Sequence, residues 1–400
     1  MREYDVLVVG GGNAGCAAAL AAARNGARVL LVERYGFLGG TATASMVGPW
    51  MTFHSGDDRI VGGIAQEMVE RLVARGGSPG HLHDASDYVP TITPFDPEIH
   101  KALLFEMMAE NSVRLLLHAW FLDASVDQGR VAVSRFATVG GIVEVRAQRT
   151  IDATADAYVA ASAGVPTQQG DARGRVQPAS LMFRLSHVDL AALSAYVRQR
   201  PEQMRSSLKT HERTPESLTA VAGLYELWDA ARARGDVDVP RELVSFFATP
   251  YADEVTVNMS RVVGVDPLDP DDLTRAEVAA RAQVMQLFEF FRRDVPGFAR
   301  ARIAATATQI GVRESRRIVG EYTLNAEDVL AARVFDDAVA RSAYPIDIHN
   351  PSGSGTTTHR LPAGASYEIP YRCLCRCWST TCWSPAAASR PPTRRWRRRD

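Results

Sequence analysis

The chain has 400 residues, of which 46% are hydrophobic and 23% are charged, and its formal net charge is −1 at pH 7. This composition excludes global disorder, because the apolar side chains offset the entropy lost on folding, and the length favours two domains or one large domain with an insertion. The near-zero charge gives no reason to expect a nucleic-acid partner or an anionic membrane surface.

The beginning of the sequence predicts a cytoplasmic protein. Its first residues carry no basic leader and run directly into the apolar stretch at 5–9. The Ala-rich stretch at 16–32 is interrupted by Arg24 and Arg28, and no run of about 18 uncharged apolar residues occurs, so no membrane partner is expected. In a reducing compartment, Cys16 is expected to be a small buried residue.

The same region predicts a β-α-β unit that binds a dinucleotide. A strand at 5–9, an Ala-rich helix at 13–25 and a strand at 28–33 follow one another. The turn between the first strand and the helix reads Gly-Gly-Gly-Asn-Ala-Gly over 10–15 and fits the pattern G-x-G-x-x-G, in which the backbone approaches a pyrophosphate at the helix N-terminus. Glu33 ends the second strand, where it would accept hydrogen bonds from ribose hydroxyls. A glycine-rich turn without a ligand is the disfavoured alternative.

Further elements are expected along the chain. Helices are predicted at 64–75 and 98–111, and strands at 113–118, 130–138 and 142–151, the last two as a hairpin.

From 166 to 300 the strand signals are weak and helical stretches are frequent. One helix is predicted to start at the capping box of Thr274 and Glu277 and to end before Pro296, with an apolar face formed by Val278, Val284, Met285, Leu287, Phe288 and Phe291. Strand character returns at 344–349 and 367–370, with a flexible Pro/Ser/Gly/Thr-rich segment at 351–358.

Two segments resemble the FAD-binding motifs of glutathione-reductase-like flavoproteins. Residues 33–43 contain a second Gly-Gly pair, which in those proteins returns to the cofactor and which an NAD-only fold does not require. Residues 150–157 resemble the Ala-Thr-Gly-Asp stretch that completes the FAD site, but Ala155 stands where those proteins have glycine. A methyl group at such a point of close approach would crowd the cofactor.

The wider pattern resembles the FAD-dependent oxidoreductase family of bacterial proteins over roughly residues 4–374. The motifs at 10–15 and 38–41 are shared by many flavoproteins, and those at 310–322 and 344–349 are more specific to this family. The resemblance implies FAD as the cofactor. It also implies a set of cofactor-binding residues: Gly10, Gly12, Asn13, Ala14, Gly15, Glu33, Arg34, Gly39, Gly40, Thr41, Ala153, Thr154 and Asp156.

The implied fold class is α/β. We expect a Rossmann-like FAD-binding domain, made of a parallel sheet with helices and a β-hairpin layer, plus an inserted, mainly helical substrate domain. The expected boundaries are 1–165 for the first part of the FAD-binding domain, 166–300 for the substrate or cap domain, 301–374 for the return to the FAD-binding domain and 375–400 for a tail.

Few protein catalytic groups are obligatory in such a protein, because a flavin carries the hydride chemistry itself. Arg313 is the first candidate, since a guanidinium fork suits a substrate carboxylate or the anionic N1 of reduced flavin. The equal alternative is a structural network in which Arg313, Arg316 and Arg317 pair with Glu314 and Glu321.

Two histidines are further catalytic candidates. His349 is a candidate acid or base, with Asp347 on the same strand face, and His54 follows the second glycine loop. A structural role is the alternative for both. The segment at 81–84, His-Leu-His-Asp, has residue types that bind metals, but it lacks a partner pair, so a solvated loop without a metal is favoured.

These observations predict an FAD-dependent oxidoreductase that acts on a small organic substrate, with flavin accepting or donating hydride and with an unassigned electron acceptor. One alternative is a flavoprotein scaffold in RNA modification, but the net charge of −7 on residues 1–374 disfavours a nucleic-acid partner. The other alternative is a truncated, cofactor-free and inactive flavoprotein.

The truncated alternative comes from the tail at 375–400, which contains seven arginines and one aspartate. Read in a shifted frame, this stretch resembles an apolar strand, a Gly-Arg-Gly turn and an Ala-rich helix of the family's C-terminal FAD-contacting segment. We therefore expect an aberrant, disordered tail, neither a metal site nor a nucleic-acid-binding segment, and weak or absent FAD binding.

Overall fold

The computed structural model describes residues 2–206 and 208–375, together with the short strand Cys382–Trp383. The first part of the chain, up to residue 165, alternates short strands with helices. Its strands are β1 (Arg2–Val9), β2 (Val29–Val32), β3 (Trp50–Met51), β4 (His54–Ser55), β5 (Asp58–Arg59), β6 (Leu82–His83), β7 (Thr91–Thr93), β8 (Arg114–Leu116), β9 (Trp120–Asp127), β10 (Arg130–Thr138) and β11 (Gly141–Asp152), and its helices are α1 (Asn13–Arg24), α2 (Thr41–Ala44), α3 (Gly63–Ala74), α4 (Pro97–Glu110) and α5 (Tyr158–Ser162).

A central sheet with the strand order β8-β2-β1-β11-β10-β9 organises this part. Strands β8, β2, β1 and β11 are parallel, and β11, β10 and β9 form an antiparallel meander. All four residues of β2 are buried, because parallel strands are covered on both faces. Leu31 and Met107 belong to the core formed with the helices, and Leu30 and Phe136 belong to the core under the meander. The predicted α/β class is confirmed.

Strand β9 is an element that the sequence did not reveal. Its residues Trp-Phe-Leu-Asp-Ala-Ser-Val-Asp do not alternate regularly between apolar and polar side chains, and Trp120 is 54% exposed and Leu122 is 47% exposed. The strand forms because β10 offers its open edge to it, with Phe121 opposite Phe136.

The middle of the chain forms a second sheet. Its strands β14-β15-β16-β13-β17 are antiparallel. Helices contribute more residues than strands, as expected, but this organising sheet was not predicted. The elements are β12 (Thr167–Gln169), β13 (Phe183–Ser186), β14 (Ala220–Gly223), β15 (Val244–Ala248), β16 (Glu254–Val257) and β17 (Arg302–Thr306), α6 (Leu190–Gln199), α7 (Tyr225–Ala233) and α8 (Pro270–Asp294), and the 3₁₀ helices Pro201–Gln203 and Thr210–Glu212.

Helix α8 packs on this second sheet and begins earlier than predicted. Asp269 caps it, accepting hydrogen bonds from the backbone N–H groups of residues 271 and 272, so the predicted capping box at Thr274 was wrong. The hydroxyl of Thr274 instead donates to the carbonyl of Pro270 at 2.8 Å. Of the predicted apolar face, Val284, Leu287 and Phe291 are buried, but Val278 is 68% exposed and Met285 is 51% exposed, so the prediction was wrong at these two positions.

The last part of the chain returns to the first. It consists of β18 (Arg316–Ile318), β19 (Ala338–Ser342), β20 (Ile346–His349), β21 (Thr356–His359), β22 (Tyr367–Pro370) and β23 (Cys382–Trp383), helix α9 (Ala326–Leu330) and the 3₁₀ helix Tyr371–Cys373. Strand β18 pairs with β12, and β19 pairs with β22. The segment predicted to be flexible is shorter than expected, because its last residues form β21 and pair with β20.

The predicted disordered tail at 375–400 lies outside the described residues, except for Cys375 and strand β23. Residues 382 and 383 lie parallel to β11, opposite Thr150 and Ile151, so the expectation of disorder does not hold for these two. In the part of the chain that the structure describes, no helix has both the length and the apolar character needed to cross a bilayer.

The segment at 81–84 is not the solvated loop that was predicted. His81 lies between Thr93 and Gln66, with ring-nitrogen distances of 2.8 and 3.0 Å to their side-chain oxygens, and the side chain of Asp84 is fully buried. The Asp84 carboxylate accepts hydrogen bonds from the hydroxyl and N–H of residue 86 and from the N–H groups of residues 88 and 89. It therefore shapes the loop that leads into β7.

We expect Asp84→Asn to lower the free energy of unfolding by about 2 kcal/mol, because the new amide group would point a donor at backbone N–H donors. Urea titration measures the change. The control is Asp57→Asn at an exposed position, which should leave stability unchanged within about 0.5 kcal/mol. Equal stabilities for the two variants would contradict the assigned role of Asp84.

Candidate active site

Some glycines of the 10–15 turn are required by contacts within the protein, and one is not. Gly10 has φ +104°, and a Cβ there would lie 2.4 Å from the carbonyl oxygen of Ala153. A Cβ on Gly15 would lie 1.9 Å from the carbonyl oxygen of Gly10. Gly12 has φ −67°, and a Cβ there would meet only Gly40 Cα, at 3.7 Å. Contacts within the protein therefore require Gly10 and Gly15 but not Gly12, which faces open space.

Helix α1 presents its N-terminus at this open space. Gly12 caps the helix without a side-chain hydrogen bond, so the N–H groups of the first turn have no capping side chain. Ala14 is exposed, and the side-chain oxygen of Asn13 lies 2.8 Å from His100 Nε2. An exposed helix N-terminus with uncapped N–H groups favours an anion such as a phosphate.

Glu33 lies at the end of β2, beside the same turn. It is 7% exposed, and its carboxylate accepts hydrogen bonds from the N–H of Gly11 at 2.6 Å and from the N–H of Tyr35 at 3.0 Å. Each carboxylate oxygen has a second lone pair, so both can still accept a hydroxyl proton from a ligand. Arg34 next to it lies over the rings of Tyr35 and Trp120.

The second glycine loop touches the first. The N–H of Gly39 donates to the carbonyl of Gly11 at 2.8 Å, and a Cβ on Gly40 would lie 2.7 Å from Gly12 Cα. Gly40 has φ +58° and precedes Thr41, the first residue of α2. Two backbones this close exclude side chains between them and leave a smooth surface around Gly12.

The segment at 150–157, which was also predicted to bind the cofactor, lies beside the first glycine turn. The N–H of Ala153 donates to the carbonyl of Val9, and Thr154 donates from its N–H and its hydroxyl to Asp152. Ala155, which replaces the glycine of the related motif, has φ +70°, a left-handed conformation that costs an alanine about 1 kcal/mol. The conformation that glycine would favour is thus kept despite the substitution, and the residue is exposed.

Asp156 was predicted to bind the cofactor, and it forms contacts with the last part of the chain. Its carboxylate accepts a hydrogen bond from the hydroxyl of Ser315, and its backbone carbonyl accepts one from Arg316 Nε at 3.1 Å. Arg317 pairs with Glu314 at 3.1 Å and donates to the carbonyl of Gly170. Arg316 and Arg317 thus belong to the structural network that was the alternative for this motif.

Residues 309–311 connect the cofactor loops with the second sheet. The N–H of Gln309 donates to the carbonyl of Ala44 at the end of α2, and the hydroxyl of Ser45 lies 3.4 Å from the carbonyl oxygen of Ile310. Gly311 then bridges to Ser180. Since α2 is only about 6 Å long, the glycine loops and residue 311 lie on the same side of the molecule.

Arg313 follows this connection. Its NH1 group donates to the carbonyl of Pro178 at 2.7 Å and to the hydroxyl of Ser180 at 2.8 Å. Arg313 therefore contributes to folding, because both hydrogen bonds join its guanidinium to the protein. They also hold the guanidinium in one orientation beside His349 and Asp347, where its charge affects the pKa of both.

His349 forms the centre of this second group. Arg261 NH2 donates to His349 Nδ1, so the neutral ring carries its proton on Nε2, which lies 3.6 Å from the Asp347 carboxylate. Burial lowers the pKa of His349 to about 4, and the ring is therefore neutral at pH 7. The Tyr344 hydroxyl donates to Asp347 at 3.3 Å.

His54 lies in a different setting. Its Nδ1 is 3.0 Å from the hydroxyl of Thr91, and its ring meets that of His81 edge to face with 5.0 Å between centroids. Burial lowers the pKa of His54. The geometry thus brings Arg313 and His349 together, and it places His54 with a histidine and a threonine of the first part of the chain.

Arg261, Arg241, Tyr344 and Tyr88 also belong to the group around His349, and the sequence did not single them out. One signal was present for Arg261: it stands in the apolar stretch Met-Ser-Arg-Val-Val at 259–263, and it is 1% exposed. An arginine inside an apolar strand-like run requires buried partners. Among the described residues, no group of three His, Cys, Asp or Glu side chains is placed to hold a metal ion.

The parallel sheet and its G-x-G-x-x-G turn define a dinucleotide-binding enzyme fold. The sequence model of the FAD dependent oxidoreductase family matches residues 5–377. The chain therefore belongs to the FAD dependent oxidoreductase family, and FAD is its cofactor.

Three solved structures are similar in fold. The p-nitrophenol 4-monooxygenase PnpA from Pseudomonas putida DLL-E4 is 14% identical with a TM-score of 0.47, covering 80% of this chain and 70% of that chain. The myxobacterial chondrochloren halogenase CndH is 12% identical with a TM-score of 0.48, covering 81% and 67%. The flavin-dependent brominase Bmp2 is 15% identical with a TM-score of 0.46, covering 80% and 70%. At these identities the likeness concerns the fold alone.

Gly12→Val is expected to abolish retention of FAD while the cofactor-free protein keeps its melting temperature, because a Cβ is accommodated at Gly12 and the isopropyl group fills the open space. Gly15→Ala is the matched comparison, and it should lower the free energy of unfolding by about 3 kcal/mol through overlap with a backbone oxygen. Flavin absorbance after gel filtration and thermal unfolding measure the two effects. Full FAD content in Gly12→Val would refute the site.

We expect the stability of the protein to depend on pH because the side chain of His100 is buried. The side chain is fully buried, and burial lowers its pKa to about 4, so the folded protein does not protonate it near pH 6 whereas the unfolded chain does. The free energy of unfolding should therefore decrease as the pH falls from about 6.5 to about 4, with His100 contributing up to about 1.4 kcal/mol per pH unit. His100→Gln should flatten this decrease, and the exposed control His211→Gln should not. Parallel curves for all three proteins would contradict the assignment.

Proposed function

We propose that this protein oxidises or reduces a small organic molecule bound between FAD and the second sheet, with the flavin accepting or donating hydride. The observation that carries the proposal is the open surface around Gly12. No contact within the described residues requires a glycine at this position. A bound dinucleotide would explain the glycine, because its pyrophosphate would pass close to the backbone at Gly12.

The residues present fit this cofactor. The N–H groups at the start of α1, at residues 13–15, would hold the pyrophosphate, and Glu33 would hold the ribose hydroxyls. Arg34, the loop of Gly39, Gly40 and Thr41, and the segment of Ala153, Thr154 and Asp156 would border the rest of the dinucleotide. Ala155 keeps the left-handed conformation that the glycine of the related motif would favour.

The protein's own contribution to the chemistry is electrostatic and steric. Arg313 lies two residues after the connection to α2, and its fixed guanidinium would stabilise negative charge on the ring end of the flavin. His349 is neutral and holds Arg261 through Nδ1, so we assign it a positioning role and do not assign it the role of an acid. His54 is proposed to line the substrate side of the first part of the chain.

We propose the same domain boundaries that were expected from the sequence. Residues 166–300 would form the substrate domain, although β17, at Arg302–Thr306, pairs with β13 of that block and extends the sheet beyond residue 300. A cytoplasmic location and an unidentified electron acceptor complete the proposal.

Two alternatives make different predictions for a purified sample. A truncated, cofactor-free protein would lack visible flavin absorbance even after incubation with FAD. A flavoprotein scaffold for RNA modification would retain flavin and bind RNA at low salt, which the net charge of −7 on residues 1–374 disfavours. An absorbance scan with and without added FAD, followed by an RNA gel-shift assay, separates all three.

Arg313→Ala is expected to lower the midpoint potential of the bound flavin by about 30 mV or more, since about 1.4 kcal/mol of lost stabilisation of a two-electron reduced state corresponds to 30 mV. It should also cost about 1–2 kcal/mol of stability through the loss of two hydrogen bonds. Arg317→Ala is the matched control from the same motif; it should lower stability and leave the potential unchanged. Equal potentials in wild type and Arg313→Ala would argue against a position beside the flavin.

A further inference from the structure

A buried histidine contacts the N-terminus of α1. His100 lies in the first turn of α4, and its side chain is fully buried. Its Nε2 lies 2.8 Å from the side-chain oxygen of Asn13, which is the first residue of α1 and follows Gly12. The hydrogen bond therefore links the buried face of α4 to the open surface around Gly12.

Aromatic rings hold the imidazole of His100 in place. The ring of Trp50 meets it edge to face with 5.0 Å between centroids, and the ring of Phe95 does so at 5.6 Å. Trp50 and Phe95 are stacked on each other, with 4.2 Å between their centroids. A side chain enclosed by rings in a close-packed core cannot turn away from its partner. His100 therefore presents Nε2 to Asn13 in a fixed direction.

The chemistry of the pair determines the direction of the hydrogen bond. An amide oxygen only accepts, so His100 Nε2 carries the proton and donates it to Asn13 Oδ1. The other ring nitrogen, Nδ1, is then an acceptor, and it is buried without a hydrogen-bond partner among the described residues. Burial lowers the pKa of His100 to about 4, so the ring is neutral at pH 7.

Packing alone does not explain a histidine at this position. The next residues on the same face of α4, Leu103, Leu104 and Met107, are apolar and fully buried. An apolar ring at position 100 would continue this face without burying a nitrogen that lacks a partner, which is unfavourable. The histidine is explained if its bond to Asn13 serves a ligand.

The bond leaves the amide nitrogen of Asn13 available to such a ligand. Because Oδ1 accepts from His100, the two N–H donors of Nδ2 remain for another acceptor. Among the described residues Nδ2 has none, and the side chain of Asn13 is partly exposed. These donors add to the uncapped N–H groups at the start of α1.

We propose that His100 is a positioning residue for the cofactor: it orients Asn13 so that the carboxamide of Asn13 donates to the pyrophosphate of FAD. His100 is fully buried and acts through Asn13. A donor that is oriented before the ligand binds loses less conformational entropy on binding. The inference rests on the proposed function, because it concerns the same FAD site.

The test measures the dissociation constant of FAD by flavin fluorescence, with the full chain freed of its cofactor and then titrated. Asn13→Ala and His100→Phe should each weaken FAD binding about fivefold or more, since the first removes the donor and the second its orientation. The double variant should bind no more weakly than Asn13→Ala, because both side chains act through one interaction. Additive losses would contradict the inference.

Two conservative variants test the direction of the hydrogen bond. His100→Gln keeps an N–H donor and should restore FAD affinity to within about twofold of the wild type. Asn13→Asp should weaken FAD binding more than Asn13→Ala, because a carboxylate oxygen would replace the donor that faces the pyrophosphate. Wild-type affinity in Asn13→Asp would overturn the inference.

Met107→Ala is the matched control for lost packing, because Met107 lies two turns later on the same face of α4 and is fully buried. It should lower stability and keep FAD affinity within about twofold of the wild type. In phosphorus NMR spectra of the FAD-saturated proteins, the pyrophosphate signals should shift in Asn13→Ala and His100→Phe and stay unchanged in Met107→Ala. Equal shifts in all three variants, or FAD affinities that follow the melting temperatures, would assign His100 a structural role only.

The two proposals fail in different ways. A protein whose FAD affinity depends on His100 and Asn13, but whose flavin exchanges hydride with no small organic molecule, supports this inference and refutes the proposed function. A protein that turns over substrate, but whose His100→Phe variant binds FAD like the wild type, keeps the oxidoreductase proposal and removes this one. A wild-type chain that does not bind FAD overturns both.

Discussion

The close approach of three backbone segments is the constraint on which the rest of the structure depends. The turn after β1, the Gly39–Gly40 loop and Ala153 after β11 meet at distances that leave no room for side chains at Gly10, Gly15 and Gly40. The parallel pairing of β1 with β2 and β11 brings their carboxyl ends to one edge and makes the approach possible. Because the segments are this close, the N-terminus of α1 opens at a surface of backbone alone.

A second sheet, joined to the first through residues 309–311, supplies a different environment. There the interior holds arginines, a neutral histidine and a carboxylate in place of bare backbone. The cost of burying these charges is offset by carbonyl acceptors, such as those that hold Arg261 and Arg313. The molecule thus has two different environments, a surface formed by backbone atoms at the N-terminus of α1 and a group of arginines around His349.

Particular residues show where local patterns misled. The capping box of Thr274 and Glu277 satisfied every local rule for a helix start, yet Asp269 caps α8 one turn earlier. The segment at 81–84 reads as polar and exposed, but Asp84 is buried because its carboxylate meets backbone donors a few residues later in the chain. In both cases a competing hydrogen-bond partner lay outside the pattern that was considered.

By itself the sequence determined the β-α-β unit and the glycine turn, because hydrophobic periodicity and the glycine spacing act over fewer than about 30 residues. The α/β class and the family were indicated by the resemblance of its motifs at 10–15, 38–41, 310–322 and 344–349. Only the tertiary structure decided the second sheet, in which β13 at Phe183–Ser186 pairs with β17 at Arg302–Thr306, and the gathering of Arg241, Arg261 and Arg313. Charges that meet only after folding leave no periodic trace in the chain. The physical reason is that a strand edge or a buried cation obtains its partner from whichever segment packs beside it, and packing is a property of the whole fold.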